Sequence, residues 1–231
     1  MLGVGPSRLL DTYLTPEHFS GTGFSYLYQK EQLPDTTRRF TSTFEHEVEF
    51  ANTHDRTDNT SNLELTYNLY WARYYNLRPN IKGLQLQVGA AANLCTGVIY
   101  NMTSSNNPAQ ARASLNIMPS ATATYHFTLF GSQYFSVRYQ LHLPLIGVMF
   151  SPNYGQSYYE IFSRGNYDHN IVPTTFISAP TFRQMATIQW HYSRRWALRV
   201  GYLGNYQQAA VNHLKQHIYT HRCLIGLTRT L

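Results

Sequence analysis

Charge and long apolar runs are both scarce in this chain. Charged residues make up 13% of its 231 positions, about half the share of a typical soluble domain. No stretch approaches the roughly 18 consecutive apolar residues that a spanning helix needs, and the mean hydropathy is −0.36. These deficits exclude a helical membrane protein and weigh against an ordinary soluble domain.

Cysteines are few in this chain, and it has no dense run of basic residues. The two cysteines, Cys95 and Cys223, lie far apart and predict no disulfide framework. The net charge of +6 could suit nucleic acid, but the basic residues are scattered without a concentrated cluster. We therefore expect no nucleic-acid partner.

What the chain does have is aromatic residues and strict alternation. Aromatics reach 15%, with 19 Tyr. The stretch Ala111–Phe150 predicts two long strands joined by a tight turn at 130–133, because apolar and polar residues alternate with the period of a strand. Each strand is more than twice the usual length of about 5–6 residues and exceeds the roughly 9–11 that cross an outer membrane. Pro119 and Pro144 each remove a ladder donor, so we expect a bulge or kink there.

Similar alternation recurs along most of the chain outside residues 151–181. We predict a single domain, 1–231, folded as an all-β transmembrane antiparallel up-and-down β-barrel of about ten strands. An extra hairpin within 151–181 would make twelve strands, and a non-spanning N-terminus would leave eight. A soluble β-sandwich or a lipocalin-like barrel is the alternative fold.

The connections predict which end of the barrel faces which compartment. Short connections at 76–81, 130–133 and 193–195 fall on one end, and the longer segments 52–61, 102–110 and 151–181 fall on the other. Outer-membrane barrels keep short turns in the periplasm and long loops outside. The same arrangement leaves the C-terminus in the periplasm.

Eight charged residues share the parity that faces the interior. They are Glu45, Glu47, Glu49, Glu64, Arg138, Arg183, Arg199 and Arg222. Because a buried unpaired charge is costly, the acidic and basic rows should face each other. The network is either a plug of ion pairs or a charged constriction that selects solutes.

Catalysis has little support in the sequence. His126, His142 and His191 share the interior face with Ser120 and Ser136, but this proximity follows from composition alone. Neither G-x-S-x-G nor H-E-x-x-H occurs. We expect no enzyme activity, no catalytic residue, no metal and no cofactor.

Two further groups of residues are candidates for contacts. The long segment 151–181 contains six residues that we expect to contact a partner; the alternative is that they only pack the loop. They are Tyr154, Tyr158, Tyr159, Tyr167, Asp168 and His169. Around the turn at 193–195, four aromatic residues predict the periplasmic aromatic belt: Trp190, Tyr192, Trp196 and Tyr202.

Several segments spread over the chain carry a family resemblance. They are Asp11-Thr12-Tyr13-Leu14-Thr15-Pro16 with Ser20-Gly21, residues 107–116, residues 137–162, Gly165-Asn166-Tyr167-Asp168-His169-Asn170 and Arg199-Val200-Gly201-Tyr202-Leu203-Gly204. They resemble a family of small Bacteroidota outer-membrane proteins of unknown function. The resemblance implies export to the outer membrane and supplies no catalytic residues. The chain departs from many barrels in ending Thr228-Arg229-Thr230-Leu231 rather than on an aromatic residue.

Together these observations predict a non-catalytic barrel subunit associated with a larger outer-membrane assembly. The alternatives are a narrow passive pore for small solutes and an outer-membrane lipid-modifying enzyme. The expected location is the bacterial outer membrane, with the signal peptide removed. The expected partners are outer-membrane lipid and lipopolysaccharide, and other outer-membrane proteins.

Overall fold

The structure is a computed structural model that describes residues 1–32, 38–77, 79–104, 107–129, 131 and 133–230. The centre of the turn expected at 130–133 falls in part outside these residues, as do Ser105 and Asn106 of the segment 102–110.

The described residues form twelve β-segments and one short helix. They are β1 (Leu2–Asp11), β2 (Thr15–Glu31), β3 (Phe40–His54), β4 (Ser61–Leu77), β5 (Leu84–Asn101), β6 (Ala109–Leu129), β7 (Gln133–His142), β8 (Ile146–Phe150), α1 (Tyr158–Phe162), β9 (Ile171–Thr175), β10 (Phe182–His191), β11 (Trp196–Val211) and β12 (Leu214–Arg229). In this part of the chain, no helix has the length and apolar character that crossing a bilayer requires.

The segments close into a ten-stranded antiparallel barrel. β1 to β7 follow one another around the wall, then β10, β11 and β12, and β12 pairs back onto β1. β6 pairs with β7 through Ser120–Leu129 and with β8 through Ser114–Ile117. β8 therefore continues the position of β7 in the wall. β9 pairs with β8 and precedes β10 in the chain. The prediction of an all-β barrel of about ten strands is confirmed.

The two prolines of the central hairpin behave differently. β6 runs through Pro119 without a break, and Ala90 of β5 faces it. The interruption lies on the other strand, where residues 143–145 separate β7 from β8 around Pro144. The gap falls opposite Pro119, which has no N–H to offer that neighbour, while Leu143 N–H donates to the Pro119 carbonyl at 2.9 Å. The expected kink therefore occurs at Pro144 only.

The register fixes how far the strands tilt. Following paired residues from Leu2 through β2, β3, β4 and β5 arrives at Ala113 on β6. Following them from Leu2 through β12, β11, β10 and β7 arrives at Tyr125, twelve positions further along the same strand. A stagger of this size in ten strands corresponds to a tilt of about 40°.

The wall separates an apolar outside from a polar inside. Outward residues of the wall are mostly apolar, and Leu2, Phe24, Leu65, Ile117 and Leu227 are between 47% and 62% exposed. The interior is mostly polar and buried. Alternation along each strand produces this division, and it agrees with the inward and outward parities expected from the sequence.

The connections define two ends of the barrel. The described residues of the loop end include 12–14, 55–60, 102–104, 107–108, 151–170 and 212–213, and those of the turn end include 32, 38–39, 79–83, 131 and 192–195. The start of β1 and the end of β12 also lie at the turn end. The segment 151–170 is the longest connection, and part of the expected loop 151–181 is β9, which belongs to the wall.

Candidate functional site

The interior of the barrel holds a row of three carboxylates on β3. Glu45, Glu47 and Glu49 alternate with outward residues, so all three point into the lumen, and each is at most 3% exposed. Like charges this close repel one another strongly at low dielectric. Cations from other strands of the barrel must therefore pair with these carboxylates.

Arg183 of β10 forms ion pairs with two of these carboxylates from across the lumen. Its Nε donates to Glu47 at 2.9 Å, and Nη2 forms an ion pair with Glu45. The guanidinium also lies over the Tyr70 ring, 4.8 Å from the centroid. Because β3 and β10 are not neighbours in the wall, this contact spans the interior and closes it.

Arg222 of β12 answers the third carboxylate. Its Nη2 lies 3.2 Å from Glu49, and the guanidinium also donates to Ser25 Oγ at 3.0 Å and Ser7 Oγ at 2.8 Å. A Cβ on residue 23 would lie 2.3 Å from Arg222 Nη2. Gly23 therefore leaves the space that the guanidinium fills.

Two more ion pairs extend the network toward both ends. Arg138 pairs with Glu31, and Arg112 pairs with Glu64 at 3.2 Å. Glu31 and Arg112 were missing from the set expected from the sequence. The alternation along their strands could have identified both as inward residues, since Glu31 shares the face of Gln29 and Arg112 precedes a run of inward polar residues.

Arg199 is the exception within the expected set. It is 3% exposed, and its Nη1 donates to Gln29 Oε1 at 2.9 Å. Among the described residues, no carboxylate lies within ion-pair distance of it, and its Nε and Nη2 have no hydrogen-bond partner. The lumen thus contains one cation that the structure does not pair directly.

Small cavities lie beside this network. Two cavities toward the loop end, both lined by Arg112 and Cys95, measure about 30 Å³ and 40 Å³. Volumes of this order hold only a few water molecules. Neither cavity can accommodate a solute of metabolite size.

The loop at the loop end has a folded centre. Ser157 and Glu160 cap α1 reciprocally: Ser157 N–H donates to Glu160 Oε2 at 2.8 Å, and Glu160 N–H donates to Ser157 Oγ at 3.2 Å. The hydrogen bonds that Ser157 N–H and Ser157 Oγ donate to the Glu160 carboxylate lower the pKa of that carboxyl below its usual value. The capping box stabilises this helix of only five residues.

Tyr158 fixes this helix to the barrel rim. Its hydroxyl donates to Gln110 Oε1 at 2.8 Å and accepts from Ala111 N–H at 2.7 Å. Its ring lies edge-on to Tyr13, with centroids 5.6 Å apart. Burial raises the pKa of the Tyr158 hydroxyl. Tyr158 is therefore a packing residue, in contrast to its place in the expected contact set.

The other tyrosines of that set do face solvent. Tyr154, Tyr159 and Tyr167 are 74%, 63% and 69% exposed. Asp168 and His169 contact each other through a carboxylate oxygen and Nδ1, and both are exposed. Across the described residues, no group of three His, Cys, Asp or Glu side chains is placed to hold a metal ion.

The expected aromatic belt is divided by the structure. Trp190, Tyr192 and Trp196 lie together near the 192–195 turn, with the first two rings 6.0 Å apart. Tyr202 lies six residues further along β11, beside Cys223, and hydrogen-bonds to His221. Six residues of a tilted strand rise about 15 Å, so Tyr202 belongs to the middle of the wall.

The histidines and serines of the interior form one pair. Ser136 Oγ lies 3.3 Å from His191 Nε2 at the turn end. In the described part of the chain, no carboxylate hydrogen-bonds His191, so the third group that orients the base in a catalytic triad is not in place.

These features define the class of protein: a closed antiparallel β-barrel with an apolar outside and an interior crossed by ion pairs. A family model described as "Protein of unknown function (DUF3316)" matches residues 1–231. The chain belongs to this family. The prediction of a family of unknown function is confirmed, and the Bacteroidota origin stays a prediction.

Comparison with other proteins adds one likeness of fold. No curated protein matches the chain. Among solved structures, the transport unit of the autotransporter AIDA-I from Escherichia coli is similar, with a TM-score of 0.49 and 8% sequence identity. The match covers 100% of this chain and 89% of that one.

Proposed function

We propose that this protein is an integral outer-membrane barrel that serves as a non-catalytic docking subunit of a larger outer-membrane assembly. The observation that carries the proposal is the pairing of a filled lumen with a folded, aromatic surface at the loop end. A closed barrel with an apolar outer band is the architecture that spans outer membranes.

The lumen argues against transport as the main role. Arg183 and Arg222 cross the interior to the carboxylates of β3, and the adjacent cavities hold only a few waters. A barrel of this size is only slightly wider than one that its own side chains fill. We expect purified protein in planar bilayers to show no steady conductance, and regular channel openings would favour the narrow-pore alternative.

The loop surface supports docking. Tyr154, Tyr159 and Tyr167 are exposed around α1, and Tyr158 and the capping box hold this segment in one shape. Exposed tyrosines on a weakly charged, preorganised surface are typical of protein contacts. The partner is expected to be another outer-membrane protein that reaches the loop end.

The test compares two matched variants in the native membrane. Tyr159→Ser with Tyr167→Ser changes the loop surface, and Tyr192→Ser with Tyr134→Ser changes tyrosines at the turn end as the control. Each protein is extracted in mild detergent, sized and analysed by mass spectrometry. The proposal predicts a stoichiometric companion that the loop variant loses and the control keeps. A single barrel without companions in every sample would contradict it.

A further inference from the structure

A group of basic side chains points outward at the loop end of three adjacent strands, and Arg8 and Lys215 are its permanent cations. This cationic patch consists of Arg8 on β1, His18 on β2, and Lys215 and His217 on β12. Arg8 is paired in register with Ser20 of β2 and Tyr219 of β12. His217 is within electrostatic range of both His18 and Lys215. The four side chains therefore share one area of the outer wall.

The cationic patch begins where the apolar band ends. On β1, the outward residues below Arg8 include Leu2 and Val4, and on β12 the corresponding residues are Leu227 and Ile225; all four are exposed. Tyr219 is paired with Arg8 and also with Tyr206. Tyrosines at this level are typical of the membrane–water interface. The patch thus lies at the height of lipid headgroups.

The cations of the patch lack protein counter-charges. Arg8 and Lys215 are exposed, and among the described residues no carboxylate forms an ion pair with either of them. The carboxylates near the patch point elsewhere or are engaged by other residues, and Asp11 of β1 accepts hydrogen bonds from Tyr13 N–H and Gln216 Nε2. Glu17 shares the parity of the inward Phe19, and Asp58 is engaged by His54 Nδ1 at 3.1 Å.

The patch occupies only one side of the barrel. On β4, β5 and β6 the described outward residues toward the loop end include no basic side chain, and most are apolar or aromatic, among them Leu63, Val98, Tyr100 and Leu115. The positive charge is therefore directional. Like charges that gather at one site without partners are unfavourable unless an anion binds between them.

We infer that the cationic patch binds the phosphate of a membrane lipid headgroup in the leaflet that faces the loop end. The guanidinium of Arg8 offers a planar fork for phosphate oxygens, and the ammonium of Lys215 adds a point charge. Tyr219 and Tyr206 border the site on β12 and β11. The inference rests on the membrane insertion that the proposed function includes.

The test measures lipid retention by the full chain in neutral detergent. Native mass spectrometry compares diphosphorylated lipid A with dephosphorylated lipid A. The variant is Arg8→Gln with Lys215→Gln, and the matched control is Lys30→Gln with Arg229→Gln, which removes two outward cations at the turn end. We expect lipid A to bind the wild type and the control equally, and the patch variant roughly 30-fold more weakly.

Three results would overturn the inference. They are equal affinity of the patch variant and the wild type, an equal loss in the control, and displacement of lipid A by millimolar inorganic phosphate, which would indicate a site for the free anion. A heat-dependent shift in gel mobility shows that each variant is folded. Docking is read separately from the companion protein, so either hypothesis can fail alone.

Discussion

At the scale of single residues, Arg183 is the cation on which the lumen network depends most. Replacing it by Met leaves the buried carboxylates of Glu45 and Glu47 without a paired cation, which costs about 3–5 kcal/mol. We expect the folded barrel to convert to its unfolded gel mobility at a clearly lower temperature. Arg194→Gln, an exposed change in the 192–195 turn, is the matched control and should leave that temperature unchanged.

A compensating variant separates charge from packing at the same site. Arg183→Met combined with Glu45→Gln and Glu47→Gln removes the uncompensated charges together with the cation. Replacing a whole buried ion network is often nearly neutral, so this variant should recover most of the lost thermal resistance. If it melts as low as Arg183→Met alone, the cost comes from packing and the ion pairs are not the cause.

Tyr158 makes a second prediction at this scale. Tyr158→Phe removes a hydrogen bond to Gln110 and one from Ala111 N–H, each worth about 1 kcal/mol. We expect faster hydrogen exchange in 151–170 and an unchanged barrel. Tyr159→Phe, at an exposed position, is the control, and equal exchange in both variants would argue against the anchoring role.

The residue scale also shows what sequence alone could give. Parity along the strands predicted the inward side chains of Glu45, Glu47, Glu49, Arg183 and Arg222. It could not predict which cation meets which carboxylate, because Arg183 reaches β3 across the lumen rather than along the wall. The partner of Tyr158 was equally hidden, since Gln110 is 48 residues away.

At the scale of elements, α1 depends on one titrating group. That group is the carboxyl of Glu160, whose pKa lies below the usual 4.5 because Ser157 donates hydrogen bonds to it. A lowered pKa in the folded state means that the ionised cap stabilises α1 above about pH 4.5 and that this contribution is lost as pH falls through the lowered value. We expect amide protection in α1, corrected for intrinsic exchange, to fall as the pH is lowered through this depressed pKa.

Two variants check that this loss belongs to Glu160. Glu160→Gln keeps a capping side chain but does not titrate, so its α1 protection should stay flat between pH 6 and 3. Glu17→Gln changes another carboxylate on a loop-end strand and should keep the wild-type profile. A Glu160→Gln profile that still falls with pH would assign the effect to a different group.

Elements were predictable where the alternation was clean. β3, β4 and β6 follow the expected faces because each strand has one apolar and one polar side. The break between β7 and β8 was harder, since two prolines were candidates and only the register shows that Pro119 faces the gap. The segment 151–170 has no alternation, so its capped helix followed only from local contacts.

At the scale of the whole molecule, the account depends on a lipid-exposed outer wall. The three tryptophans report on it, because Trp71, Trp190 and Trp196 all point outward and are 39–49% exposed. Trp196 opens β11 at the turn end, whereas Trp71 lies within β4, six residues above its last residue. The two residues should therefore lie at different depths of the bilayer.

The most direct test is depth-dependent quenching of single-tryptophan variants in lipid vesicles. The account predicts that Trp71 is quenched best by lipids brominated deep in the acyl chain and Trp196 by lipids brominated near the headgroup, with little effect of aqueous iodide on Trp71. Strong iodide quenching of Trp71 without any effect of brominated lipid would show that this wall faces water. The membrane-spanning barrel would then be the wrong account of the molecule.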